Sequence, residues 1–257
     1  MNSPKEIAHN FIDVGVAKTS MSNFKLLILG ILAGMFIALA GIGSTIASLT
    51  VENGRLLNAM IFPAGLAMVI VAGSELFTGN SLIIVSVLEK KVKLSKMLNN
   101  WLIVYLGNLI GSVIVALLVV YGHVPDLFNQ TLAVTMVNGA NAKLSLTFSE
   151  AFIRGILCNI LVCIAVWMAA ASNKISGKII ALYFPILLFV ICGFEHCVAN
   201  MFCVPAGIFV SSEYGIAAQG LNWINFMIKN LIPVTLGNIV GGCLVGFSYW
   251  LVYKKNK

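Results

Sequence analysis

The chain has 257 residues, 60% of them hydrophobic and 10% charged, with a formal net charge of +7. Soluble domains average about 25% charged residues, so most of this surface must face lipid. The length suits a single membrane domain, residues 1–257, with no room for a separate soluble domain.

Residues 1–22 are polar, with Ile7, Phe11 and Val14 at helical spacing, which predicts a short interfacial helix rather than a cleavable signal. Six apolar spans follow, near 24–48, 57–88, 100–122, 151–171, 179–209 and 231–253. The third is long enough to cross a hydrocarbon core of ~30 Å at about 1.5 Å per residue. The second and fifth are each interrupted by a polar cluster that a lipid-facing helix would not tolerate.

The loops between these spans dispose of the nucleic-acid reading of the charge. Twelve of the sixteen basic residues fall on one side: Lys5, Lys18, Lys25, Lys90, Lys91, Lys93, Lys96, Lys174, Lys178, Lys254, Lys255 and Lys257. Arg55, Lys143 and Lys229 lie opposite, and Arg154 begins the fourth span. This asymmetry is a topology signal that places both termini in the cytoplasm. All six cysteines lie within predicted spans, where they read as small packing residues rather than disulfide partners.

The two interruptions match each other. Gly73-Ser74-Glu75-Leu76-Phe77-Thr78-Gly79-Asn80 aligns with Gly193-Phe194-Glu195-His196-Cys197-Val198-Ala199-Asn200, an offset of 120 residues. Leu106-Gly107-Asn108-Leu109-Ile110-Gly111 aligns with Leu236-Gly237-Asn238-Ile239-Val240-Gly241 at an offset of 130, and the polar stretch 211–230 accommodates the extra length. Two repeats are therefore expected, 24–122 and 151–253. Each has three spans, and an odd number makes the repeats inverted. Broken helices at corresponding places in inverted repeats form a transport site near the midplane. A break also presents unpaired amides, which favour negative charge. Gly30 and Gly34, Gly107 and Gly111, and Gly237 and Gly241 supply small residues at four-residue spacing, for which close packing within one bundle is a sufficient explanation.

Glu75, Glu195 and His196 are the ionisable residues at span centres. An acid costs roughly 2.5–3.5 kcal/mol or more there, so each needs a reason. A negative charge lining an anion pore would repel its cargo. The glutamates are therefore expected to be structural, accepting bonds from loop amides behind the pore. His196 has no repeat equivalent, because Leu76 holds the matching place, and imidazole can donate to an anion or pass it a proton. Thr78 either caps the half-helix that follows, in competition with Asn80, or faces the pore as a partner of His196. Lys143 is expected on an exterior loop, solvated or drawing in anions. Cys192, Glu195, His196 and Cys197 cluster, but their spacing fits no usual zinc pattern, so no metal is expected.

These blocks, together with Cys158-Asn159-Ile160-Leu161-Val162-Cys163-Ile164-Ala165-Val166-Trp167, resemble the formate/nitrite transporter family over nearly the whole chain. The resemblance implies an aquaporin-like all-α protomer, a homopentamer with one pore per subunit, and small monovalent anions as cargo in the lipid bilayer of the cell membrane. It implies that Thr78 and His196 face each other between two apolar constrictions. Leu66, Phe77 and Val162 fall in the cytoplasmic one, and Phe62 and Phe189 towards the outside. Lys143 matches a basic residue of the outer vestibule, and Asn159 and Asn200 match polar residues near the histidine. The first break is closer to nitrite and hydrosulfide members and the sixth-span block to formate channels. No cofactor and no enzyme activity are expected. Proton-coupled secondary transport and a neutral-solute channel are the alternatives, the latter without the Asn-Pro-Ala signature.

Overall fold

The computed structural model describes residues 1–253, so Lys254, Lys255 and Lys257 lie outside the described residues. Helix α1 (Pro4–Thr19) starts from a capping box. The Ser3 amide donates to Glu6 Oε2 at 2.6 Å, and the Ser3 hydroxyl accepts from the Glu6 amide. The Ser3 amide and hydroxyl, both donating to the Glu6 carboxylate, hold its pKa below the ordinary value. Of its apolar face, Ile7, Ala8 and Phe11 are buried against the bundle, whereas Val14 is exposed. Phe11 stacks on Trp167 at 4.9 Å, and Trp167 stacks on Tyr249 at 4.3 Å.

Helix α2 (Asn23–Ser48) is followed by α3 (Arg55–Ile61) and α4 (Pro63–Ala72). Gly73 ends α4 at φ +81°, a left-handed conformation that glycine adopts without a Cβ penalty. Residues 74–78 are not helical. A short 3-10 turn then leads into α5 (Ile84–Leu88), and α6 (Leu94–Tyr121) follows. Helix α7 (Thr131–Leu144) occupies what was expected to be an exterior loop, ahead of α8 (Phe148–Ala169). The second break repeats the first. Helix α9 (Ile175–Ile191) ends near Gly193 at φ +70°, and α10 (Cys197–Glu213) resumes beyond it. Much of the polar stretch 211–230 is helical, because α11 (Trp223–Asn225) runs through a π turn into α12 (Ile232–Tyr253).

Among the described residues, five helices are long and apolar enough to cross a membrane: Asn23–Ser48, Arg55–Ala72, Leu94–Tyr121, Phe148–Ala169 and Trp223–Tyr253. The expected fifth span is split between α9 and α10, each of 17 residues.

The paired glycines do their work inside the subunit. Gly30 of α2 meets Gly107 of α6, Gly34 meets the Asn108 backbone, Gly111 meets that of Ile31, and Gly155 of α8 meets Gly237 of α12, so backbone lies against backbone. A Cβ at Gly107 would sit 2.7 Å from the Leu27 carbonyl oxygen, and one at Gly111 would overlap the Ile31 carbonyl. A main-chain carbonyl cannot swing aside as a side chain can. Gly111→Leu is therefore expected to prise α2 from α6 and cost about 1–3 kcal/mol or more. Thermal unfolding in detergent would show a clear fall for this variant. Gly43→Ala is the control, because its added Cβ meets only the end of Ile61 at 3.8 Å.

Candidate functional site

The two breaks build the same polar scaffold twice. At the first, Glu75 accepts from Lys18 Nζ at 2.6 Å and from Asn80 Nδ2 at 2.7 Å. Asn80 also donates to Asn100 Oδ1 at 2.9 Å, and Asn100 donates back to the Lys18 carbonyl at 3.2 Å. At the second, Glu195 accepts from Lys143 Nζ at 2.6 Å and from Asn200 Nδ2 at 2.7 Å. Asn200 donates to Asn230 at 2.9 Å, and Asn230 to the Lys143 carbonyl at 3.1 Å. Each ring closes on itself and satisfies a carboxylate that would otherwise be untenable at this depth.

A second asparagine clamps each break to its flanking helices. Asn108 accepts from the Phe77 amide at 2.9 Å and donates to the carbonyls of Gly30 (2.8 Å) and Glu75 (2.9 Å). Asn238 makes the matching bonds with Cys197 (2.9 Å), Gly155 (2.8 Å) and Glu195 (2.9 Å). The irregular backbone is thus paired by side chains, as it must be where water is excluded.

These bonds revise three expectations. Glu75 and Glu195 accept from a lysine and an asparagine side chain rather than from loop amides. Lys143 is in the last turn of α7, in an ion pair, and not on a loop. Thr78 makes no capping bond, and Asn80 is occupied by Glu75 and Asn100. The Thr78 hydroxyl instead lies 2.9 Å from His196 Nε2. His196 itself caps α10, its Nδ1 accepting from the Ala199 amide at 3.1 Å. Since Nδ1 is an acceptor, the proton of the neutral ring sits on Nε2 and is donated to Thr78 Oγ1. The Thr78 hydroxyl hydrogen remains available to another acceptor. Asn159 steadies this loop from behind, donating to the Thr78 carbonyl at 3.2 Å and the Asn238 carbonyl at 2.6 Å.

A cavity lies on either side of the Thr78–His196 pair. One, of about 380 Å³, is lined by residues including Lys18, Leu66, Ser74, Glu75 and Lys178. The other, of about 310 Å³, is lined by residues including Phe62, Lys143, Phe189, His196 and Asn200. Their lining positions correspond through the repeat: Val69, Ile70, Gly73, Asn80 in one, and Phe189, Val190, Gly193, Asn200 in the other. Phe62 and Phe189 meet edge to face at 5.7 Å, and Phe189 lies 5.8 Å from the His196 ring. Phe77 and Val162 line neither cavity and are buried in the core, with the Phe77 ring against Tyr105 at 4.9 Å. Among the described residues no group of three or more His, Cys, Asp or Glu could hold a metal ion.

Residues 5–251 match the family model described as formate/nitrite transporter. The chain belongs to the formate/nitrite transporter family. The formate channel FocA of Haemophilus influenzae is 39% identical over 241 residues, covering 86% of this chain and 84% of that protein. A solved structure described as a pentameric formate channel with formate bound is 37% identical, with a TM-score of 0.80, and covers 91% of this chain and 98% of its own. One described as an FNT family ion channel aligns with a TM-score of 0.86 at 27% identity, covering 96% and 98%. Formate/nitrite transporters are membrane proteins, in keeping with the apolar helices described above.

Sequence reasoning missed Lys18, Asn100 and Asn230. Lys18 reads as one more basic residue among those that set topology, although it precedes Lys143 by the 125 residues that also separate Gly30 from Gly155. Asn100 and Asn230 share the 130-residue offset of Asn108 and Asn238, a signal that could have found them.

Proposed function

We propose that this formate/nitrite transporter is a pH-sensitive channel for small monovalent anions of weak acids, namely formate, nitrite or hydrosulfide. The observation that carries the reading is the buried Thr78–His196 bond, set between two cavities lined by corresponding positions. The formate channels among its relatives support the cargo class, and the pentameric one supports a homopentamer. Six spans in two inverted repeats, with α1 and α7 each leading one repeat, fit the doubled hydrogen bonding. The asymmetry of basic residues puts both termini on the cytoplasmic side of the cell membrane, with the cavity of Lys18 inward and that of Lys143 outward.

An anion in either cavity meets packed apolar side chains, among them Leu66 inside and Phe62 and Phe189 outside, which exclude a bare charge. The barrier falls when the anion leaves as its neutral acid. His196, at the wall of the outer cavity, gains a proton on Nδ1 and releases the Ala199 amide. Nε2 then gives its proton to Thr78 Oγ1 as the hydroxyl gives its own to the anion. One proton is taken up and one delivered, and the ring is left neutral. Flux therefore rises as pH falls.

The test is anion flux in proteoliposomes at two pH values, with formate, nitrite and hydrosulfide compared. His196→Asn is expected to remove the pH dependence and lower flux roughly 100-fold, the effect of losing a positioned proton donor. Unchanged rate and pH dependence would sink the mechanism. Uphill accumulation driven by a proton gradient would make the protein a coupled transporter, and solute flux without any anion flux a neutral-solute channel.

A further inference from the structure

The two mouths are built from corresponding positions, yet they are not chemically alike. In the inner cavity Lys18 lies 2.6 Å from Glu75, as Lys143 lies 2.6 Å from Glu195 at the outer one. Each lysine is therefore matched by a carboxylate of its own break. What remains differs. Lys178, the fourth residue of α9, lines the inner cavity, half-buried, and its ammonium makes no ion pair or hydrogen bond among the described residues. Its counterpart at the 120-residue offset is Asn58, the fourth residue of α3, which lines the outer cavity. Ser74, only 8% exposed, lines the same cavity, and its hydroxyl has no hydrogen-bond partner among the described residues. The outer counterpart is Phe194.

A buried hydroxyl without a partner is costly, and natural structures seldom leave one. Here it opens onto a cavity that also holds a cation with no counter-charge. The geometry points to an anion subsite in the inner mouth, formed by the Ser74 hydroxyl and the Lys178 ammonium, with no equivalent at the outer mouth. Its ligand is a small monovalent oxyanion or hydrosulfide that accepts a hydrogen bond from the serine and is held by the lysine charge. This rests on the anion-channel reading and adds a functional asymmetry between the faces. An anion arriving from the Lys178 side is held before it reaches Thr78, whereas one from the other side meets Phe194 and Asn58.

A passive pore cannot move an equilibrium, so the subsite shows in saturation rather than in accumulation. Formate flux as a function of concentration, measured separately from each face in vesicles of one fixed orientation at low ionic strength, tests it. Ser74→Ala and Lys178→Gln are each expected to raise the half-saturating concentration roughly three- to tenfold for entry from the Lys178 face. The maximal rate should not fall, and entry from the opposite face should keep its wild-type value. Raising the salt should shrink the Lys178→Gln effect, as screening requires. Lys96→Gln, at an exposed lysine that lines neither of these two cavities, controls for loss of a positive charge as such. An equal shift from both faces, the same shift in Lys96→Gln, or a lower maximal rate with unchanged half-saturation would overturn the subsite. A wild-type protein with no anion flux from either face would instead defeat the channel reading on which it rests.

Discussion

Asn238→Leu is expected to abolish recovery of folded protein. Leucine fills a similar volume but pairs with nothing. The substitution strands the Cys197 amide and the Glu195 carbonyl, which Asn238 now satisfies at 2.9 Å, and removes a second bond to the Gly155 carbonyl, which keeps its place in α8. Each unpaired buried group costs about 1–3 kcal/mol, so the two together cost about 2–6 kcal/mol, before the lost bond to Gly155 is counted. That is comparable with the whole margin of about 5–15 kcal/mol by which domains are stable. Asn108→Leu should behave alike, since Asn108 holds Phe77, Gly30 and Glu75 in the same way. Size-exclusion profiles and thermal unfolding in detergent check both. A transition within a few degrees of wild type would mean that the breaks hold without their clamps.

Removing one member of an ion pair should be worse than removing both. Lys143→Met leaves the Glu195 carboxylate, whose side chain is 3% exposed, with Asn200 as its side-chain partner. Breaking a buried pair from one side typically costs about 3–5 kcal/mol, and the partial exposure of Lys143, 27%, puts the expectation at the lower end, about 3 kcal/mol. The uncompensated carboxylate adjoins His196 and should also repel anions. A unit charge on the order of 10 Å away, in a medium of effective dielectric ~20, opposes an anion by about 1.7 kcal/mol, hence a flux loss of roughly 10- to 20-fold. Lys143→Met combined with Glu195→Gln should recover most of the stability and much of the flux. Flux in the double variant as low as in Lys143→Met alone would show that the lysine is needed for its charge and not for pairing.

The elements most legible in the sequence are those fixed by local composition. Long apolar runs mark α2, α6, α8 and α12, and the Gly-x-Glu…Asn repeat marks both breaks. The juxtaposition of Thr78 and His196, implied by family resemblance, appears as a 2.9 Å contact. What the sequence conceals is the company the acids keep. Lys18 and Lys143 lie 57 and 52 residues from Glu75 and Glu195. Such pairs form only after separate helices have packed, and no local spacing announces them. The amphipathic pattern of α1 is equally ambiguous, because an apolar stripe does not say whether lipid or protein will cover it.

The stacked rings of Phe11, Trp167 and Tyr249 give the first nineteen residues an importance that their polarity disguises. They moor α1 to α8 and α12, and α1 delivers the lysine that neutralises Glu75. A polypeptide trimmed to begin at Asn23 would keep every apolar helix yet expose Glu75 without its counter-ion and leave Trp167 without its Phe11 partner. Trimming the leading segment to improve expression, a common first step with membrane proteins, would here remove part of the wall of the cavity that Lys18 lines.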